Sequence, residues 1–341
     1  MTANTNRRAF LKNSSATALT IAALASAPPA ALAARLRSAA AADTVLQWTH
    51  LAGPYHAMID PQTGGNVLLL ADKTHSLLID TKYPALARAL FVDAQTLAGD
   101  ETTKLHLINT HHHADHTGGN PIIVPNAESY AHENALPRIR DQHQRYTQAA
   151  RSGPAQVARM EGSPRLVKLA TQAAEGANAW TQDTAVPANS ITEPTRTMLI
   201  AARKVETHHF GPGHTDNDLV INFPGDDILH TGDLVFNGLH PYFDPQGGAT
   251  ATGWINALKK TRALCTDTTT VIPGHGPKGG PKIIDTQITY LETLIEKVQA
   301  EIEKGTRKDE ITAMSWDFME GLGFEQVRAR AIGAVYDELS I

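Results

Sequence analysis

Cysteine is nearly missing from this chain: Cys265 is the one thiol in 341 residues. That excludes an internal disulfide and any metal site built on several cysteines. Long apolar runs are missing too. The stretch SSATALTIAALASA near the start is weakly apolar and only about half the ~20 residues that a spanning helix needs. Aromatics are sparse at 6%, and 25 Gly with 19 Pro point to many turns and short elements. Nor is there an excess of positive charge. Five of the 30 basic residues lie in residues 1–42, which hold no acid, so the remainder sets 25 bases against 35 acids, a charge near −10. An acidic surface excludes a nucleic-acid partner, because binding to a phosphate backbone needs a basic face.

The five bases sit in a segment that reads as an address and not as fold. Arg7 and Arg8 precede Phe10, Leu11 and Lys12, and the short apolar run follows. This order reads as a twin-arginine export signal, with no stable membrane anchor. Small-x-small sites occur at Ala25–Ala27 and Ala31–Ala33; Pro28 follows the first, which favours the second. The expected organisation is a signal peptide and linker over residues 1–42, then one domain over 43–341. The expected location is periplasmic, with the twin-arginine machinery as export partner. That route carries folded proteins, which suits a protein loaded with metal before export.

Past the signal, short strand-like runs (TVLQWTHLA, YHAMID, NVLLLAD, HSLLIDT) occupy roughly residues 44–81, separated by turn residues Gly64-Gly65 and Asp72-Lys73. ALARALFVDAQTL reads as a helix, and KLHLINT as a buried strand. Residues 120–130 return to an extended pattern ending at AHEN (131–134). Residues 133–190 change character. Helical spacing with little β-branching predicts a helical insertion there, closed by a Pro-rich linker from Val186 to Pro194. TRTMLIAARKVETHHF, DLVINFP and DDILHTG resume the extended pattern, and TTTVIPGHG is a strand that runs into a loop. TGWINALKKTRALC, the amphipathic run 283–305 and the C-terminal segment are helical. Strands, helix, strands, helix predict an α/β fold of two sheets sandwiched between helices.

Histidine, by contrast, is concentrated. Of 16 in the chain, four fall in residues 111–116, within NTHHHADHTGGN. Imidazoles and a carboxylate this dense are costly inside a fold unless something coordinates them. His111 and His113, two apart on an extended segment, point the same way and can grip one ion. Asp115 and His116 project from the following turn, where Gly118-Gly119 lets the chain reverse, towards a second ion; His112 should face away. Downstream, GPGHTDND offers His214, LHTGD offers Asp233 and VIPGHG offers His275, each at the C-terminal edge of a strand.

The pattern His-x-His-x-Asp-His with a later His, Asp and His resembles the metallo-β-lactamase superfamily over about residues 45–290. The resemblance implies a four-layer αββα sandwich with two zinc ions per chain; iron or manganese also suits His/Asp ligation. It implies His111, His113 and His214 on the first metal, Asp115, His116 and His275 on the second, and Asp233 between them. It further implies a zinc-dependent hydrolase of a small ester, lactone, amide or phosphoester, in which the metal pair activates a water. Asp115 is then the residue that relays the proton to the leaving atom. Asp80 is read as orienting a ligand histidine, or as a helix N-cap. His132 is read as a candidate pocket residue.

Departures narrow the subgroup. Asp233 stands where some β-lactamases carry cysteine, and Phe236 where quorum-signal lactonases carry an oxyanion-stabilising tyrosine, leaving Tyr242 or Tyr146 as substitutes. β-Lactam hydrolysis is the alternative activity, and a non-catalytic periplasmic metal-binding protein the alternative of another class.

Overall fold

Short apolar runs in the first part of the chain build four strands of a seven-stranded sheet. Strands β1 (Thr49–His50), β2 (Tyr55–Met58), β3 (Val67–Leu70) and β4 (His75–Ile79) pair antiparallel in chain order. β5 (Lys104–Ile108), β6 (Ala127–His132) and β7 (Asn189–Ile191) then add in parallel. This computed structural model describes residues 43–59, 63–99 and 102–340, so the segment read as an export signal lies outside the described residues. Residues 45–341 form one compact unit.

The second sheet holds β8 (Thr195–Ile200), β9 (Arg203–His208), β10 (Val220–Phe223), β11 (Ile228–His230) and β12 (Thr270–Ile272), in the spatial order β12-β11-β10-β9-β8. Only β11 and β12 run parallel in it.

The period of two along each strand decides which side chains meet. Leu68, Leu70, Leu77, Ile79 and Ile108 of the first sheet pack with Val205, Ile221, Phe223, Ile228 and Ile272 of the second. Leu69, Leu78 and Leu107 alternate with them and are also fully buried. They therefore face the outer layer, where helix α1 (Ala87–Ala98) buries Leu90, Ala94 and Leu97. Strands buried on both faces read as continuous apolar runs, which is why NVLLLAD and HSLLID carry so little polarity.

Helices α2 (Ala135–Asp141), α3 (His143–Arg159) and α4 (Pro164–Gly176) follow β6 and occupy the stretch predicted as an insertion. Ser163 caps α4 by accepting from Leu166 N at 3.2 Å, with Pro164 at the first helical position. The second sheet's outer face is covered by α5 (Ala251–Arg262), α6 (Lys282–Glu303) and α7 (Arg328–Leu339), through Trp254, Leu258, Leu291, Leu294, Ile332 and Val335. The layers are therefore helix, sheet, sheet, helix, as the resemblance implies.

Three local expectations change. Residues 120–130 are not extended throughout: Asn120–Ile123 and Val124–Asn126 are helical turns, started by Pro121, and only Ala127–His132 is strand. The linker 186–194 contains β7, whose backbone completes the parallel edge beside β6. The run 195–210 is two strands, turned at Ala201 and Ala202, both with positive φ (52° and 56°).

Candidate metal centre

The histidine motif occupies the loop leaving β5. The asparagines that bracket it hold each other: Asn120 Nδ2 donates to Asn109 Oδ1 at 2.8 Å, and Asn109 Nδ2 to Asn120 Oδ1 at 3.2 Å. Thr81 Oγ1 donates to His116 O at 3.0 Å, tying the loop to the end of β4. His113 ends the extended stretch, and Ala114–Thr117 forms one helical turn. Gly118 and Gly119 keep negative φ and do not reverse the chain. Their role is close packing, since a Cβ on Gly119 would sit 2.3 Å from Thr81 O. Gly65 serves the same end, for a Cβ there would lie 2.0 Å from the His116 ring.

From the other sheet, His214 comes from the loop before β10, Asp233 from the 3-10 turn Gly232–Leu234 after β11, and His275 from the loop after β12. Seven side chains from four strand ends thus converge. Three groups have ligand atoms that all lie within 4.8 Å of one another: His112, His113 and Asp244 form one, and the two that hold the seven expected residues are His111, His113, His214 and Asp233, and separately Asp115, His116 and His275. Asp233 faces both of the latter two, with Oδ2 at 3.4 Å from His214 Nε2 and Oδ1 at 3.0 Å from His116 Nε2.

Proton accounting tests whether these residues suit a cation. His214 Nδ1 donates outward to Tyr242 O at 2.8 Å, and His113 Nε2 to Asp244 Oδ2 at 3.0 Å. Their inner nitrogens then meet 2.9 Å apart, with at most one proton between them. The His111 Nδ1 proton faces Thr110 Oγ1 at 3.0 Å, whose own hydrogen goes to Asp80 Oδ2 at 2.7 Å. The inner Nε2 of His111 is buried without a hydrogen-bond partner. Lone pairs gathered at this spacing approach the ~3.3 Å edge of a tetrahedron with ~2.0 Å metal–nitrogen bonds. The residues therefore fit a metal ion.

Charge supports the same reading. Burial holds His111 well below its ordinary value and His214 at about 3, so both rings are neutral and free to ligate. Burial also opposes charge on His275 and His116. Asp233 and Asp115 nevertheless push His275 up to about 9 and His116 well above its usual range. The acids thus hold protons on those two rings that a divalent ion would displace.

Asp80 is fully buried and accepts from His116 Nδ1 at 2.7 Å, Thr110 N at 2.8 Å and Thr110 Oγ1. It caps no helix. His112 turns away from both metal groups, onto Asn217 Nδ2 at 3.1 Å, and is buried. His132 does not line the cavity: its ring packs on His209 with centroids 4.0 Å apart, at the end of β6. Tyr146 is buried with its hydroxyl 2.6 Å from Thr117 Oγ1, so it cannot replace the missing phenol; Tyr242 does reach the cavity wall. Sequence reasoning missed Asp244, which orients His113 across 131 residues, and Tyr83 and Phe324, which wall the cavity. No short-range pattern marks these three.

A cavity of about 480 Å³ opens on the cluster, walled in part by Asp115, Asp233, His275, Tyr83, Phe236 and Phe324. The sequence model of the metallo-beta-lactamase superfamily matches residues 60–275, well over half the chain. The protein belongs to the metallo-beta-lactamase superfamily. A stretch of 100 residues is 27% identical to the metallo-beta-lactamase type 2 of Bacteroides fragilis, covering 29% of this chain and 40% of that relative. The chain thus spans well under two thirds of that relative's length. The sec-alkylsulfatase Pisa1 from Pseudomonas sp. is similar over 85% of this chain and 50% of its own, at 17% identity and a TM-score of 0.57. A metallo-beta-lactamase from Pontibacter korlensis is similar over 72% and 99%, at 18% identity and a TM-score of 0.52. At such identities the likeness is one of metallo-beta-lactamase fold.

Proposed function

We propose that this superfamily member is a dinuclear, zinc-dependent hydrolase of small esters, lactones, amides or phosphoesters. The observation that carries the reading is the set of inward-facing imidazole nitrogens grouped on either side of one carboxylate, at the mouth of a cavity. His111, His113 and His214 would hold one ion, Asp115, His116 and His275 the other, with Asp233 shared. When bound, such a pair supplies Lewis-acid polarisation and a water acidic enough to act as a nucleophile near neutral pH.

The chain's own residues do the rest. Asp80, Asp244 and the Tyr242 carbonyl hold His116, His113 and His214 in fixed orientation, so the donor set does not reorganise. Asp115 lines the cavity. Burial opposes its ionisation, yet His116 and His275 hold it below the usual carboxylate range, so it enters the reaction ionised. It is placed to take the proton of the attacking water and pass it to the leaving atom. Phe236 stacks on His275 with centroids 5.1 Å apart, which keeps bulk water from that ligand.

Asp233→Ala tests the reading. The variant should lose about one equivalent of metal and at least about 100-fold in kcat, near 3 kcal/mol of barrier. A folded variant that keeps two metals and near-normal turnover would remove the shared-carboxylate assignment. Two bound metals in the unsubstituted protein, with no turnover of any acyl or phosphoryl compound, would favour the non-catalytic metal-binding reading.

A further inference from the structure

The cavity wall narrows the substrate class, an inference that rests on the hydrolase reading above. We propose that the substrate is a neutral acyl compound, an ester or lactone bearing an aryl or alkyl group, and that compounds carrying an additional anionic group are rejected.

Three observations lead there. First, apart from the ligand residues the cavity lining is uncharged, and four of its residues are aromatic. Phe236 lies flat on His275, Phe324 meets His275 edge-on at 5.5 Å, and Tyr242 meets His113 edge-on at 5.6 Å, with Tyr83 across the mouth. Second, no lysine or arginine lines the cavity among the described residues, and the guanidinium groups nearby are committed. Arg138 binds Asp216 at 2.7 Å and Gln246 O at 2.9 Å. Arg330 donates to Phe243 O at 2.6 Å and covers the outer face of Tyr242 at 4.5 Å. Arg328 holds Glu325 at 2.6 Å. Lys82 is fully buried, with its ammonium on Thr63 Oγ1 at 3.0 Å and Gly64 O at 3.4 Å. A second anionic group on the substrate would lose its water against ring faces and meet no counter-charge. The wall's neutral donors, such as the phenols of Tyr83 and Tyr242, suit a carbonyl or ether oxygen instead.

Third, part of this wall comes from residues outside the stretch that matches the family. Phe324 and Gln326 follow residue 275, the end of that match. Phe324 holds a positive φ of 61° in a segment pinned by Gly323 N to Gly238 O at 3.0 Å, His240 N to Gly323 O at 2.9 Å, and Glu325 against His240 at 3.2 Å. A non-glycine residue kept in that region is over-determined by its surroundings. This part of the aromatic wall is therefore preformed.

The test uses the full metal-loaded protein and matched substrates: para-nitrophenyl butyrate against para-nitrophenyl hemiglutarate, which adds a terminal carboxylate, with dihydrocoumarin as a neutral lactone. Nitrocefin and para-nitrophenyl sulfate serve as further anions. The neutral member of the pair should show a kcat/KM higher by on the order of 100-fold, the effect of stranding one ion in a dry wall. Equal or better turnover of the anionic member would overturn this inference and leave the hydrolase reading intact. No turnover of the acyl compounds would overturn this inference, and if a phosphodiester such as bis-para-nitrophenyl phosphate were also inert, the hydrolase reading as well. A second arm uses Gln326→Lys, at the exposed rim, which should raise the anionic-to-neutral ratio about 10-fold. An unchanged ratio in a folded, metal-replete variant would overturn the role given to this wall.

Discussion

Asp80→Asn isolates the contribution of an orienting carboxylate, because it exchanges one charged oxygen for an amide NH2 at almost no change in volume. The side chain sits at 0% exposure, with φ 66°, at the end of β4. One oxygen accepts from Thr110 N at 2.8 Å; the other accepts from Thr110 Oγ1 and His116 Nδ1, both at 2.7 Å. In the variant the amide oxygen keeps the Thr110 N bond, and the amide NH2 takes the second position. It now donates to His116 Nδ1, so that a neutral His116 keeps its proton on Nε2 and not on Nδ1 as it does beside Asp80. Nε2 faces Asp233 Oδ1 at 3.0 Å, so the proton occupies the side where a metal would bind. Loss of such an orienting partner costs roughly 10- to 100-fold in metal affinity, or about 1.4–2.7 kcal/mol. The loss should fall on the site of Asp115, His116 and His275. The site of His111, His113 and His214 should change far less, for Asp80 touches it only through Thr110. Titration of metal-free protein with zinc against a competing chelator resolves the two sites. Nitrogen NMR of the histidine rings reports the tautomer. A folded Asp80→Asn protein with both affinities unchanged would refute the reasoning, as would equal weakening of both sites.

Acid lability should trace in part to His230, which is fully buried and lowered to about 4 by burial. An unfolded histidine protonates near 6.5, so stability present above that pH is lost as pH falls through the window from about 6.5 to 4. About 2 kcal/mol of the loss between about pH 7 and 5 in metal-free protein should vanish in His230→Gln, read from urea midpoints; an unchanged loss would exclude this ring as a source. The β8–β9 hairpin should accept Ala201→Asn with Ala202→Gly, whose backbones tolerate positive φ. A gain of ~1 kcal/mol in unfolding free energy is expected, and no gain would mean that the alanines carry little strain there.

How far the sequence alone reaches depends on whether the cause of a feature is local. Elements and layers are legible because burial on both faces leaves continuous apolar runs, as in NVLLLAD, while helix α6 repeats its buried positions Ile284, Leu291, Leu294 and Val298 at helical spacing. The Ala201-Ala202 turn is illegible for the opposite reason. A two-residue hairpin of this kind normally carries Asn-Gly, and here the pairing of Ile200 with Arg203 imposes the conformation on residues that do not favour it. Likewise β7 lies in what composition presents as a linker, because its place is given by the open edge of β6 and not by its own residues.

The metal-facing residues follow the same rule at finer scale. His111, His113, Asp115 and His116 are dense enough in sequence to demand a common explanation, and that explanation then picks out His214, Asp233 and His275 from 16 histidines and 35 acids. What orients them is different in kind. Asp244 lies 131 residues from His113, and its neighbours in sequence give no hint that its carboxylate faces an imidazole. Asp80 could be suspected only as one of two equal readings, since a carboxylate after a strand serves a cap or a histidine alike until the partner is seen. The proposed ligands fit the metal-dependent hydrolysis that most of the superfamily performs. The wall proposed to select among substrates includes Tyr83, Tyr242 and Phe324, residues on separate loops whose adjacency only folding creates. Reaction class is therefore readable from the motif, while substrate class becomes readable only once those three loops are seen to meet.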